Sequence, residues 1–452
     1  MGDAPAEHLR LGLHAAAARF GAAKLTDGLA DELAASVGAM PEKAAAAVEA
    51  MTTMLGSQSV NALAAPNRLS AFPIVGVPDG RRAWPKPQDF LHGAISWLDQ
   101  LLLETGNARL RQTFHRARDK ATETLIEQTL GNVFGARRVH RGLEYQLSDD
   151  TWAETDIVVI LPGTALVVEA KAHAMTAPGR AGRRDRVERH LKELLRKPLQ
   201  QSERTKEALL RGTQWRHRGR PFEMPVINEV TRVVVTFEVI DPFVTLAHLV
   251  ADPDMPDAWV VSLSSLMMVA DVLTHPVELY AYAATRAAVI AAGQPIVFME
   301  SDALAAWYRN REGVWDDLGG AVFQLAYQSD ELNEYFTSHR LAVKGYAAPV
   351  PPRPSAGIPD YVLRAVDDAS SAPAASWGVL ACIVAAVKPA QWRKIDRRIR
   401  AVNSAPTRRA RKRARQASSG IQINSQLILR VGEFQGATLH DVGETCELFV
   451  RL

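Results

Sequence analysis

The sequence predicts a mixed α/β fold: a mixed-sheet core flanked by helices, a mainly helical region before it, and a helical region plus a small basic module after it. Three observations carry that expectation. Two apolar runs, Ile157–Leu161 and Ala165–Val168, flank a Pro162-Gly163 turn signal and read as a buried hairpin. Helical patterns stand on either side of it, at Ala121–Phe134 and Lys197–Arg211. A β-branched run, Thr231–Ile240, supplies a further strand.

Residues 1–115 read as mainly helical. His8–Ala23, Asp27–Val37 and Glu42–Leu55 are rich in alanine, the best helix former. Asn67–Pro87 is broken by four prolines, with a short strand at Phe72, Ile74 and Val75, and Leu91–Leu103 returns to a helical pattern. Residues 116–245 form the expected core. Its first helix places Leu125, Thr129, Leu130, Val133 and Phe134 near one stripe, with Gly135 at its end. Pro198 suits the first turn of the later helix.

Residues 246–346 read as helical, with one helix to about Leu273, another opened by Pro276, and helical or mixed structure over Ile296–Tyr308 and Ala321–Phe336. Residues 347–376 are rich in proline, alanine and serine and read as a linker, with a short ordered piece at Tyr361–Val366. Residues 377–452 make the small module, with strands expected over Ile421–Val431 and Leu448–Leu452.

The chemistry concentrates at one end of the hairpin. Asp156 opens its first run, and Glu169 and Lys171 close its second. Charges on an otherwise dry hairpin need partners, because burying an unpaired charge is costly. Glu169 and Lys171 share a face, since strand side chains alternate. An even-numbered loop places Asp156 opposite Glu169 or Lys171 and brings all three together; an odd one sends Asp156 to the other face. Two carboxylates suit Mg²⁺, which prefers oxygen ligands and commonly bridges to phosphate. A lysine beside them can position a water and steady developing phosphate charge.

The pattern of Asp156, then Glu169-Ala170-Lys171, resembles the core motif of the PD-(D/E)xK nuclease superfamily, with Thr155 in place of the proline. The resemblance covers roughly residues 116 to 245 and implies a restriction-endonuclease-like core. It implies a Mg²⁺-dependent endonuclease, with Mn²⁺ as a substitute, hydrolysing DNA in bacterial defence and restriction, RNA being left open. Asp156, Glu169 and the Ala170 carbonyl would hold the metal, and Lys171 would position the attacking water. In such proteins the preceding helix often supplies an acid, for which Glu123 is a better match than Glu127. In NERD-like nucleases the following helix turns a glutamine toward the site, matching Gln201 first and Gln200 second. His173, just past the triplet, stays outside the catalytic set.

Composition bounds the alternatives. The chain has 452 residues, 47% hydrophobic and 23% charged, which suits a globular protein of two or three domains. Its two cysteines make neither a disulfide framework nor a zinc cluster. The opening MGDAPAEHLR lacks a signal peptide's apolar core, and the apolar stretch Val379–Val387 is too short for a bilayer. A cytoplasmic location with no membrane partner is expected. There is no phosphate-binding loop, H-E-x-x-H, G-x-S-x-G or CxxC motif.

The net charge of +3 conceals an asymmetry, since residues 393–415 carry +10 and the rest of the chain −7. Arg393, Lys394, Arg397, Arg398, Arg408, Arg409, Arg411, Lys412 and Arg413 of this arm are candidates for nucleic-acid contact, set against a merely solvated tail. Trp215–Arg220, mixing an aromatic with cations, could stack on bases. The competing reading is a catalytically silent nuclease-fold protein that binds nucleic acid or a partner through the arm. A homodimer, or a partner protein of a defence system, completes the expected associations.

Overall fold

The computed structural model describes residues 34, 40–54, 74–76, 82–83, 98, 101–102, 106–147, 151–173, 184–237, 257–291, 296–311, 323–325, 329–343, 349–369, 377–403, 421–422, 427–432, 439–442 and 445–451. The helices expected over His8–Ala23 and Asp27–Val37 fall outside these residues, apart from residue 34, and so does most of Leu91–Leu103. Two compact units emerge: residues 1–117 with 174–190, and residues 118–173 with 191–452. In the first, α1 (Pro41–Ala50) precedes a small sheet of β1 (Thr52–Met54), β2 (Ile74–Gly76) and β3 (Arg82–Ala83). The helix expected to reach Leu55 stops at Ala50, and the β-branched pair Thr52-Thr53 joins the sheet instead.

The second unit is built on a sheet of seven strands among the described residues. In chain order these are β4 (Val139–Gln146), β5 (Trp152–Leu161), β6 (Gly163–Lys171), β7 (Trp215–His217), β8 (Arg220–Phe222), β9 (Ile227–Thr236) and β10 (Ala258–Ser262). Their spatial order is β10-β9-β6-β5-β4-β7-β8. Strands β4, β5 and β6 form an antiparallel meander, whereas β6, β9 and β10 are parallel, so the sheet is mixed. Parallel pairing of β6 with β9 requires a long crossover, which a helix provides.

The hairpin turn takes the even branch. Leu161 lies opposite Thr164, leaving Pro162-Gly163 as a two-residue loop with Gly163 at φ 65°. Proline presets the first turn residue, and glycine accepts the positive φ of the second. The central strands bury both faces. Ile157, Val159, Val168 and Val233 share one core cluster with Ile126 and Leu130; Val158 and Val167 share another with Leu209 and Trp215.

Helix α2 (Ala108–Phe134) supplies Ile126 and Leu130. Its buried stripe runs through Thr122, Ile126, Thr129, Leu130, Val133 and Phe134, while Leu125, expected on it, is 38% exposed. A 3.6-residue period puts Ile126, not Leu125, four residues from Leu130. Beyond the hairpin, α3 (Arg184–Leu191) runs through a π-helical stretch, Lys192–Arg196, into α4 (Lys197–Arg211). Pro198 therefore does not open a new helix, since Arg196 is itself helical at φ −58° and ψ −50°. Its missing N–H takes one intrahelical bond away, and the widened turn lies immediately before it.

The chain then alternates through α5 (Leu263–Val272), α6 (Pro276–Ala291), β11 (Ile296–Phe298), α7 (Glu300–Asn310), β12 (Phe323–Leu325), α8 (Asp330–Val343), α9 (Asp360–Ala369), α10 (Trp377–Ala386) and α11 (Pro389–Asn403). Val261 and Ser262, expected in the helix, instead end β10, and the Ser262 side chain caps α5 by accepting the Ser265 N–H. A four-stranded sheet closes the described chain: β13 (Ile421–Gln422), β14 (Leu427–Gly432), β15 (Leu439–Val442) and β16 (Thr445–Arg451). Among the described residues no helix is long and apolar enough to cross a membrane.

Helix α10 is fastened to the hairpin turn. The Trp377 N–H donates to the Pro162 carbonyl at 3.2 Å, and the Gly378 N–H to Thr164 Oγ1 at 3.0 Å, satisfying two donors that a helix start leaves free. A Cβ on Gly378 would lie 2.6 Å from the Tyr280 hydroxyl and 2.7 Å from Glu229 Oε2. Tyr280 is buried and bonded to Thr231, so it has little room to yield. Gly378→Ala is therefore expected to destabilise the protein by about 1–3 kcal/mol, the usual cost of overpacking. A urea titration would register it as a lower midpoint at unchanged slope; an unchanged midpoint would mean that the helix start shifts freely.

Candidate functional site

The site grows from the hairpin register. Ile157 faces Val168, so extending the ladder by one step sets Asp156 against Glu169 at the open end of the central strands. On the other side the β4–β5 ladder passes from Arg141 opposite Ile157 to Leu143 opposite Thr155, leaving out Gly142 and Asp156. Gly142 sits there at φ 67°, a conformation glycine adopts without a Cβ penalty. Asp156 is thus released from regular pairing and turns to β6. Its Oδ2 accepts the Ala170 backbone N–H at 2.7 Å.

Lys171 joins the two carboxylates. Its Nζ lies 3.5 Å from Glu169 Oε2 and 3.8 Å from Asp156 Oδ2. Glu169 is only 2% exposed, and its Oε1 is buried without a hydrogen-bond partner. Burial, and then the charge of Asp156, push the Glu169 carboxyl up to about 8, against the opposing pull of Lys171.

Glu123 on α2 is half-buried, and burial followed by Asp156 raises its carboxyl as well, with Arg141 opposing. Glu127, one turn on, is held by Arg141 at 3.2 Å.

Helix α4 packs on the face of the sheet that carries Val158 and Val167, through Ala208 and Leu209. Gln201 is half-buried on it and Gln200 is exposed. The Gln201 carbonyl accepts from Thr205 Oγ1 at 3.2 Å, and among the described residues no hydrogen bond joins the Gln201 side chain to Lys171. The helix is locked to β9 by Arg232, which is fully buried. Its guanidinium reaches Glu203 Oε2 on α4 at 2.7 Å and Asp257 Oδ1 at 2.5 Å. Burial pushes the Asp257 carboxyl up, but the Arg232 hydrogen bond and charge, with Lys206 beside it, hold it below the usual range. Sequence reading missed this network, though an arginine inside the apolar run Thr231–Phe237 was its signal. It also missed β4, whose alternating Val139, Arg141, Leu143 and Tyr145 are masked by the charges between and around them.

The basic arm divides. Arg393, Lys394 and Arg397 are exposed on α11, an amphipathic helix whose Trp392 and Ile395 are buried. Arg398 lies on the same helix, and Arg408, Arg409, Arg411, Lys412 and Arg413 fall outside the described residues. Trp215 is core, 4% exposed and packed on Tyr145 with centroids 5.2 Å apart, so it cannot stack on a base. A cavity of about 420 Å³ lies beside it, lined by Leu209, Trp215, Phe222 and Met224, with no carboxylate in its wall.

Among the described residues no three His, Cys, Asp or Glu side chains converge as one metal-ligating group. The pair does fit a cation in another respect: Glu169 Oε1 has no partner, and two adjacent carboxylates share a single lysine. Comparison of the chain with models of known families, with curated proteins and with solved structures finds no match.

Glu169 makes stability depend on pH. Its carboxyl is raised in the folded state from an ordinary 4.5 to about 8, so between those values the fold binds a proton that the unfolded chain has lost. Stability therefore falls as pH rises through this window. Glu169→Gln removes the effect. In EDTA the mutant is expected to gain on the wild type, by on the order of a few kcal/mol between about pH 5 and about pH 8. Urea midpoints measured across that range check it; a pH-independent difference would contradict the raised carboxyl.

Proposed function

We propose that the chain is a Mg²⁺-dependent nuclease of restriction-endonuclease-like fold that hydrolyses phosphodiester bonds of DNA. The observation that carries this reading is the convergence of Asp156, Glu169 and Lys171 at the open end of the hairpin, with Lys171 Nζ within 3.8 Å of both carboxylates. Asp156, Glu169 and the Ala170 carbonyl would hold the metal, Mn²⁺ serving as a substitute. When bound, the metal supplies Lewis-acid polarisation of the phosphate and an acidified water. Lys171 holds the attacking water and meets the charge developing on the phosphate. Glu123, whose carboxyl feels the charge of Asp156, would supply a further carboxylate, and Gln201 on α4 would have to turn its side chain toward Lys171 to orient it. The order of helix, three-stranded meander, crossover helix and parallel strand supports the fold assignment. A role in bacterial defence follows from the resemblance of the motif, and the scarcity of cysteine, two residues in the chain, suits a cytoplasmic setting.

Exposed Arg393, Lys394 and Arg397 on α11 favour a second reading, a silent nuclease fold that only binds nucleic acid. Incubation with supercoiled and linear DNA, in Mg²⁺ or EDTA, separates the two. Metal-dependent cutting is expected, falling by about 100-fold or more in both Lys171→Ala and Glu169→Ala, the range typical of a lost acid–base or metal-holding group. A gel shift without cutting would select the silent binder, and cutting that survives both substitutions would move the site elsewhere.

A further inference from the structure

The hairpin β7–β8 lies at the edge of the main sheet and has no part in the site described above. Its turn is Arg218-Gly219, with φ 52° and 74°, so both central residues have the positive φ that a type I′ turn requires. Glycine fits that conformation, but arginine is a costly choice where asparagine is the favoured residue. Turn formation therefore does not explain Arg218.

The neighbouring cations have structural duties. Arg216 bonds Glu144 and lies 4.1 Å over the Trp152 ring. Arg218 and Arg220 are exposed, and among the described residues no carboxylate pairs with either.

The registers place this turn. His217 faces Leu143 on β4, and Leu143 faces Thr155 on β5. One step further along all three strands brings Arg218 level with Gly142 and with Asp156. Two strand spacings separate them, about 10 Å. A duplex rises about 3.4 Å per nucleotide along its axis, so the turn lies within a few nucleotides of the carboxylates.

We infer that Arg218 and Arg220 form a clamp on the phosphate backbone, holding duplex DNA within a few nucleotides of the phosphate at Asp156 and Glu169. The inference takes its ligand from the nuclease reading. Arginine forks onto phosphate oxygens, and a backbone contact of this kind carries no sequence preference. Its effect is to set the register of the duplex over the carboxylates.

The test uses the full chain with Arg218→Asn and Arg220→Gln combined, which leaves an Asn-Gly turn suited to the hairpin. Anisotropy of a labelled duplex in EDTA is followed over a salt series, with circular dichroism melting as a control for folding. The variant is expected to melt no lower than the wild type and to bind more weakly. Its slope of log K against log salt should be shallower by about 0.9 per lost contact, near 1.8 for both. An unchanged slope and affinity, or a wild type that does not bind duplex DNA, would overturn the clamp; the first would leave the cations as mere protection of a sheet edge. Metal-dependent cutting with an unchanged slope would discard the clamp and keep the nuclease. A shallower slope without any cutting would keep the clamp and discard the nuclease.

Discussion

A two-residue turn fixes everything that happens at the other end of its hairpin. Because Pro162-Gly163 closes the loop with Leu161 opposite Thr164, the ladder runs in step for its whole length and delivers Asp156 to Glu169. One residue more or less in that turn would carry Asp156 to the opposite face, since side chains alternate along a strand. The same turn receives the start of α10, through Pro162 and Thr164. Packing at the closed end and the carboxylate–lysine cluster at the open end thus rest on one register.

Placing a glutamate where only 2% of it meets solvent has consequences that the surrounding structure absorbs. Asp156 is held by the Ala170 N–H, and Lys171 leans on both carboxylates, which leaves Glu169 Oε1 as the one buried oxygen of the trio without a bond. An apolar replacement would pack more comfortably, because a buried carboxylate is expensive unless fully bonded. The cost is localised at a strand end, where the charge of Asp156 is also felt by Glu123 on α2. Nearby, Arg232 shows the opposite solution: it is equally buried, but two carboxylates meet its guanidinium and the helix it holds is thereby fixed over the sheet.

Much of this was legible in the sequence, for identifiable reasons. The hairpin is strongly patterned, and parity alone limited Asp156 to two placements. The helices around it announced themselves by period. What failed were the places where local pattern and tertiary packing disagree. Strand β4 carries charges on its outer positions and a glycine at its break, so its alternation is faint. Val261 and Ser262 looked like the start of a helix because nothing in a short apolar run separates a buried strand from a helix. Pro198 looked like a beginning because the π turn that accommodates it has no sequence signature.

Charge counts mislead for a related reason. The sequence divides into a basic segment and a mildly acidic remainder, which draws attention to residues 393–415 as the surface for a polyanion. The structure sorts the arginines of the remainder by occupation. Arg141, Arg216, Arg232 and Arg286 are each committed to a glutamate, and Arg311 is buried among backbone carbonyls and the Trp307 ring, where burial lowers it to about 10. Of these, Arg232, Arg286 and Arg311 are buried and cannot be offered to a phosphate without stranding a buried partner, whereas Arg141 and Arg216 are part-exposed and engaged with their glutamates. The acidic remainder is therefore not uniformly repulsive to nucleic acid: several of its glutamates are paired from within, and among the described residues exposed cations without a carboxylate partner include Arg218 and Arg220. Net charge measures the whole molecule, whereas a polyanion responds to the few charges that the fold has left unpaired.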